Sequence, residues 1–117
     1  MKYMLLLHNR SEEDSATPLY ESFEEEMAAH NAFSSMVAQR GGTFHGEALE
    51  GPETARSIRK NGDEFVVTDG PFADVKEQIG GYYVLEAVDI DEAVELAKHC
   101  PAYAGIEVRP IWDIPGM

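Results

Sequence analysis

Gly80-Gly81-Tyr82-Tyr83-Val84-Leu85 sets four consecutive apolar or aromatic residues behind a glycine pair. Successive side chains of a strand point to opposite faces of its sheet, so such a run asks for cover on both faces. Lys2-Tyr3-Met4-Leu5-Leu6-Leu7-His8 repeats the pattern near the N-terminus. A sheet holding both runs keeps an apolar second face after helices have covered the first. Soluble monomers rarely leave such a patch open. The expectation is a homodimer, face to face through the open side of the sheet.

Outward from these strands, the chain divides by punctuation. Pro18 can open a helix capped by Thr17, and Gly41-Gly42 closes it after about Arg40. Residues 43–50 and 54–60 read as strands joined through Gly51-Pro52, and Asn61-Gly62 signals a hairpin into Glu64-Phe65-Val66-Val67-Thr68. Asp89 with Glu92 forms a capping-box start for a second helix, whose apolar stripe is Ile90, Ala93, Val94, Ala97 and Cys100, ended by Pro101. Residues 105–111 alternate as a half-buried last strand. The order is that of a ferredoxin-like α+β split βαβ sandwich with an extra hairpin, in one domain spanning 1–117.

Composition narrows the partners. Twenty-two acids against nine Lys and Arg give a formal charge of −13, which opposes nucleic acid and anionic membrane surfaces. No run approaches the roughly 20 apolar residues of a membrane span, and the start carries no cleavage site for export. The expectation is a cytoplasmic protein with no nucleic-acid or membrane partner. One cysteine, Cys100, excludes an intrachain disulfide. His8, His45 and His99 share no metal-ligand spacing, so neither metal nor cofactor is expected.

Two features carry chemistry. On a helical wheel Leu19, Phe23, Met27 and Val37 form an apolar stripe within about 40° of Phe23, and His30 and Ser34 lie inside it. A histidine there is either a core residue satisfied by a backbone carbonyl or a general acid/base facing a cleft. Asp69 ends a strand in Thr68-Asp69-Gly70-Pro71-Phe72. Its carboxylate either accepts backbone N–H bonds in a turn or orients a histidine. From the residues alone, neither pair of readings is decided. Arg109 can pair with a carboxylate or meet an anionic ligand.

Val66-Val67-Thr68-Asp69-Gly70-Pro71-Phe72-Ala73, followed by Lys76-Glu77-Gln78-Ile79-Gly80-Gly81-Tyr82-Tyr83-Val84, resembles the signature of the YCII-related, DGPF-domain proteins. Met1 to Leu6, Asp91-Glu92-Ala93, Cys100-Pro101 and Glu107-Val108-Arg109-Pro110-Ile111 resemble the same pattern, so the likeness covers nearly the whole chain. Asp74-Val75 departs from it, where the family usually has Glu-Thr. The resemblance implies a dimeric α+β barrel with a small cleft between helix and sheet in each subunit. It further implies His30 and Asp69 as a catalytic dyad. Ser34, Phe72 and Arg109 are the substrate-binding candidates of this reading. A relative of the group is a dehydrochlorinase on a chlorinated hydroxyquinol-type ring, and fold neighbours include muconolactone isomerases. Two functions follow as expectations. One is a cofactor-independent acid/base enzyme on a small aromatic or lactone-like molecule. The other is a non-catalytic dimeric module that binds a small ligand or a regulatory partner, as in the family members associated with sigma factors.

Overall fold

The computed structural model describes residues 1–9, 22–72, 78–102 and 105–116. In chain order its elements are β1 (Lys2–Asn9), α1 (Phe23–Ala38), β2 (Phe44–Ala48), β3 (Arg56–Asn61), β4 (Glu64–Asp69), β5 (Gln78–Glu86), α2 (Ile90–Ala97) and β6 (Gly105–Pro110), with a 3₁₀ turn at Pro52–Thr54. Four strands form an antiparallel sheet in the order β2-β5-β1-β6, and β3 with β4 forms a separate two-stranded ribbon. The chain is thus α+β, with two helices, antiparallel sheets and a strand order that fits the ferredoxin-like arrangement. β5 is inserted between β1 and β2, which is the split of the βαβ unit.

The two apolar runs occupy the centre of the sheet, where both faces need cover. Tyr3 stands opposite Leu85 and Leu5 opposite Tyr83, and on this side both helices add to one core. That core comprises Tyr3, Leu5, Leu7, Leu85 and Ala87 with Phe33 and Val37 of α1 and Ala93, Ala97 and Cys100 near α2. Leu5 and Leu85 are fully enclosed. On the other side Met4 faces Val84 and Leu6 faces Tyr82. These four form a narrow apolar strip outside the helix-side core, flanked by His45 and Glu47 on β2 and by Glu107 and Arg109 on β6. The runs therefore do place apolar side chains on both faces.

Several boundaries differ from expectation for local reasons. α1 is capped by Ser22, whose hydroxyl accepts from the Glu25 N–H at 3.1 Å, and Glu24, Glu25 and Glu26 in its first turn complement the helix dipole. Thr17, Pro18 and Leu19 lie outside the described residues. The glycine pair Gly80-Gly81 belongs to β5 itself. The hairpin closes on Gly62-Asp63, because Asn61 pairs with Glu64; Gly62 alone takes a positive φ, 65°, as a glycine-first hairpin turn requires. Gly70 takes φ 87°, a region open to glycine at little cost.

The buried face of α1 also differs from the predicted stripe. Phe23 is 74% exposed and Met27 40%, whereas Phe33 and Val37 are buried. The helix packs through its C-terminal half. Opposite its first turns the sheet offers Gly46, Ala48 and Gly81 on the helix side, so there are few side chains to pack against. The absent volume is a cleft.

Candidate acid/base cleft

The cleft encloses about 450 Å³ between the first three turns of α1 and strands β2 and β5. Ligand sites commonly span roughly 300–1,000 Å³. Phe23, Glu26, Met27, His30, Asn31 and Ser34 line it from the helix. They recur at helical spacing, so one face of α1 brings apolar and polar groups together. The floor is built by strand register: Gly46 stands opposite Tyr83, while Ala48 and Leu7 both stand opposite Gly81.

His30 is positioned by the sheet as well as by its helix. Its Nδ1 lies 2.7 Å from the hydroxyl of Tyr83. The Tyr83 ring is clamped in turn: it stacks on Phe44 at 5.4 Å and 13° and leans on Phe33 at 5.2 Å and 60°. Gly46 supplies the seat. A Cβ there would collide with Cδ1 of the Tyr83 ring and with the carbonyl oxygen of Tyr82. Ser34, one turn beyond His30, lies near the same phenol and lines the cleft with it. Ser34, Tyr83 and His30 thus give the cleft one polar wall.

Burial governs the charges of this wall. Desolvation lowers the pKa of His30 from its ordinary 6.5, and the nearby Glu26 carboxylate partly opposes the shift. The imidazole is neutral at physiological pH, and its protonated form has an anion at hand. Desolvation raises the pKa of Tyr83, so the phenol keeps its proton. The hydrogen bond between them has two proton arrangements. Tyr83 donates to an unprotonated Nδ1, leaving the ring proton on Nε2; or a protonated Nδ1 donates to the phenol oxygen, leaving a lone pair on Nε2. One arrangement makes Nε2 a donor, the other an acceptor.

Of the residues singled out in the sequence, the structure brings His30 and Ser34 together in the cleft. Asp69 does not meet His30 within the chain. Its carboxylate is exposed at the base of the ribbon and pairs with Arg56 at 3.2 Å. Phe72 is 60% exposed, with the Arg59 guanidinium 4.7 Å above its ring. Arg109 is on β6 and pairs with Glu107 at 3.2 Å. His45 sits edge-on to Tyr82, with ring centres 6.5 Å apart, on the open face. Cys100 is buried in the core, and desolvation pushes its thiol up to about 12. Among the described residues, no group of three or more His, Cys, Asp or Glu is placed to hold a metal ion.

Two site residues escaped the sequence reading. In the sequence Tyr83 reads as one apolar or aromatic residue of a strand run. The signal that could have flagged it is the phenol itself, since a tyrosine on a covered strand face needs a partner for its hydroxyl. Glu26 lies four residues before His30, the spacing at which helix side chains meet, and that spacing is the signal for it.

The fold and cleft define a small ferredoxin-like α+β domain that presents a neutral, hydrogen-bonded histidine between helix and sheet. The chain belongs to the YCII-related domain family, whose model matches residues 1–115. It is also similar to an uncharacterised protein, R00369, of Rhizobium meliloti (strain 1021), at 30% identity over 117 residues, covering 95% of this chain and 92% of that protein.

Proposed function

We propose that this protein is a cofactor-independent acid/base enzyme acting on a small molecule, aromatic or lactone-like, held in the α1 cleft. The observation that carries this reading is the 2.7 Å bond between His30 and Tyr83 beside that cleft. A base must be unprotonated at working pH, and desolvation keeps His30 so. His30 takes a proton from the bound molecule at Nε2 and returns it elsewhere on the same molecule or to water. Tyr83 holds the ring through Nδ1, and Glu26 stabilises the imidazolium while it carries the proton. Tyr83 here fills the orienting place that a dyad would give to Asp69. Asp69 anchors the DGPF turn through Arg56.

The working unit in this reading is a homodimer through the open sheet face, which covers the strip of Met4, Leu6, Tyr82 and Val84. Among the described residues no helix is long and apolar enough to cross a membrane. A single buried thiol suits a reducing compartment, and we place the protein in the cytoplasm.

The test is turnover by His30→Gln. Thermal-shift screening of neutral phenols, lactones and small acids supplies a substrate, and the variant should lose about 10²–10⁴-fold in rate with its fold intact. Full activity in His30→Gln would sink the mechanism. The placement of Asp69 favours a second reading, a non-catalytic module that binds a small ligand or a regulatory partner. Under it the screen finds binders that emerge unchanged, and Asp69→Asn lowers Tm without altering their affinity.

A further inference from the structure

Among the described residues the β3–β4 ribbon has few contacts with the other elements. Its extensive contacts are between its own strands. At its base Gly70 N–H donates to the Ala55 carbonyl at 2.8 Å, and Ser57 Oγ donates to the Gly70 carbonyl at 2.6 Å. A two-stranded ribbon alone in water is marginal. Yet this one carries Ile58, Phe65 and Val67 at 57%, 66% and 60% exposure. Register puts Ile58 beside Val67 and Phe65 beside Lys60, so all three apolar side chains share one face. The chain's radius of gyration is 16.4 Å, against about 13 Å for a compact domain of this length.

Charge says what covers that face. Residues 56–69 hold three bases, Arg56, Arg59 and Lys60, and three acids, whereas the remainder of the chain holds nineteen acids and six bases. The ribbon is the neutral arm of a strongly acidic molecule. It can approach another copy without adding like charge, and Lys60, 6.0 Å from the Phe65 ring centre, adds a cation to its apolar face.

We infer that the β3–β4 ribbon is a dimerisation arm whose Ile58–Phe65–Val67 face packs on a second copy of this chain. The inference rests on the homodimer proposed above and names the segment that secures it.

Sedimentation of the full chain and of a Phe65→Ser/Val67→Thr variant tests it. Both positions are exposed in the single chain, so the changes cost little there, and threonine preserves strand propensity. The wild type should sediment at twice the 13.0 kDa chain mass. The variant should dissociate at least about 100-fold more readily, since four apolar side chains per dimer no longer leave water. A wild type that is monomeric overturns both the dimer and the arm. A variant that dimerises as tightly as the wild type overturns the arm and leaves the sheet-face dimer standing. Should the variant fail to fold, amide exchange of the wild-type ribbon decides. Protection that rises with protein concentration supports the arm, and fast exchange at every concentration overturns it.

Discussion

The Nδ1 of His30 and the hydroxyl of Tyr83 are 2.7 Å apart, joined across the boundary between α1 and β5. The bond orients the one imidazole lining the cleft and ties down the half of α1 that does not pack. Tyr83→Phe keeps the ring against Phe33 and Phe44 and removes the hydroxyl alone. It should cost about 1 kcal/mol of stability, the net worth of one such bond. Its distinguishing readout is the ring nitrogen resonances of His30. The wild type should show one dominant tautomer, and the variant a mixture of both. An unchanged tautomer in Tyr83→Phe would show that something else fixes the ring.

Gly46 tests the same relationship from beneath. The Tyr83 ring lies where a Cβ on residue 46 would sit, and the Tyr82 carbonyl closes the other side. Neither backbone nor a ring clamped by two phenylalanines yields freely. Gly46→Ala should destabilise by about 1–3 kcal/mol, the usual cost of overpacking. It should also disturb His30 as Tyr83→Phe does, because a displaced ring carries its hydroxyl away. Chemical denaturation measures the first effect and the His30 resonances the second. An alanine accepted without change in either would refute the seat.

The shifted pKa of His30 makes stability depend on pH in a set direction. Folding lowers that pKa below 6.5, so the unfolded chain binds the proton more tightly. The stability this provides is present above 6.5 and is lost as pH falls through the lowered folded value. Between about pH 7 and 5 the wild type should therefore lose more Tm than His30→Gln, which has no such proton to bind. Glu26→Gln should widen the difference, since Glu26 opposes the shift. Parallel pH profiles for wild type and His30→Gln would show that burial does not depress this histidine.

The strands at the centre of the sheet were legible because alternation is geometric: a run apolar at every position must face two ways, and Leu5 and Met4 do. His30 was legible because it interrupts an apolar stripe. The buried arc itself was not, since it depends on what the sheet offers opposite each turn, and Gly46, Ala48 and Gly81 show their effect only once register aligns them. The partner of His30 was obscured for the same reason. Its distance from Asp69 is set by where the ribbon lies, and no local pattern in residues 56–69 encodes that. Tyr83 is hydrophobic in a strand count and polar in a cleft, and only its neighbours select between the two.

Helix α2 offers a capping test away from the cleft. The Asp89 carboxylate accepts from the Glu92 N–H at 2.9 Å, and Glu92 accepts from the Val88 N–H at 3.1 Å and from Arg40 at 2.8 Å. One glutamate thus closes the helix start and links it to the end of α1, and these bonds hold its carboxyl below the usual range. Asp89→Ala should cost about 1 kcal/mol for the lost cap. Arg40→Ala should cost less, because water and salt screen an ion pair this open to solvent. Urea titration ranks the two, and a larger loss in Arg40→Ala would mean that the bridge, not the cap, holds α2.

Cys100 closes the core beneath α2, and its thiol is pushed up to about 12 by desolvation. Only the thiolate reacts with alkylating agents. At pH 8 the ionised fraction would be about one in ten thousand even if reagent could reach it. Iodoacetamide should leave the native protein unmodified over hours and modify it fully in denaturant, as read by intact mass. The rate at intermediate urea then reports opening of this corner of the core, because the reagent must wait for the thiol to meet water. Rapid labelling of the native protein would mean that the end of α2 opens on its own. In that case Pro101, which follows Cys100 and lines the cleft, could not help hold the His30 site in one shape.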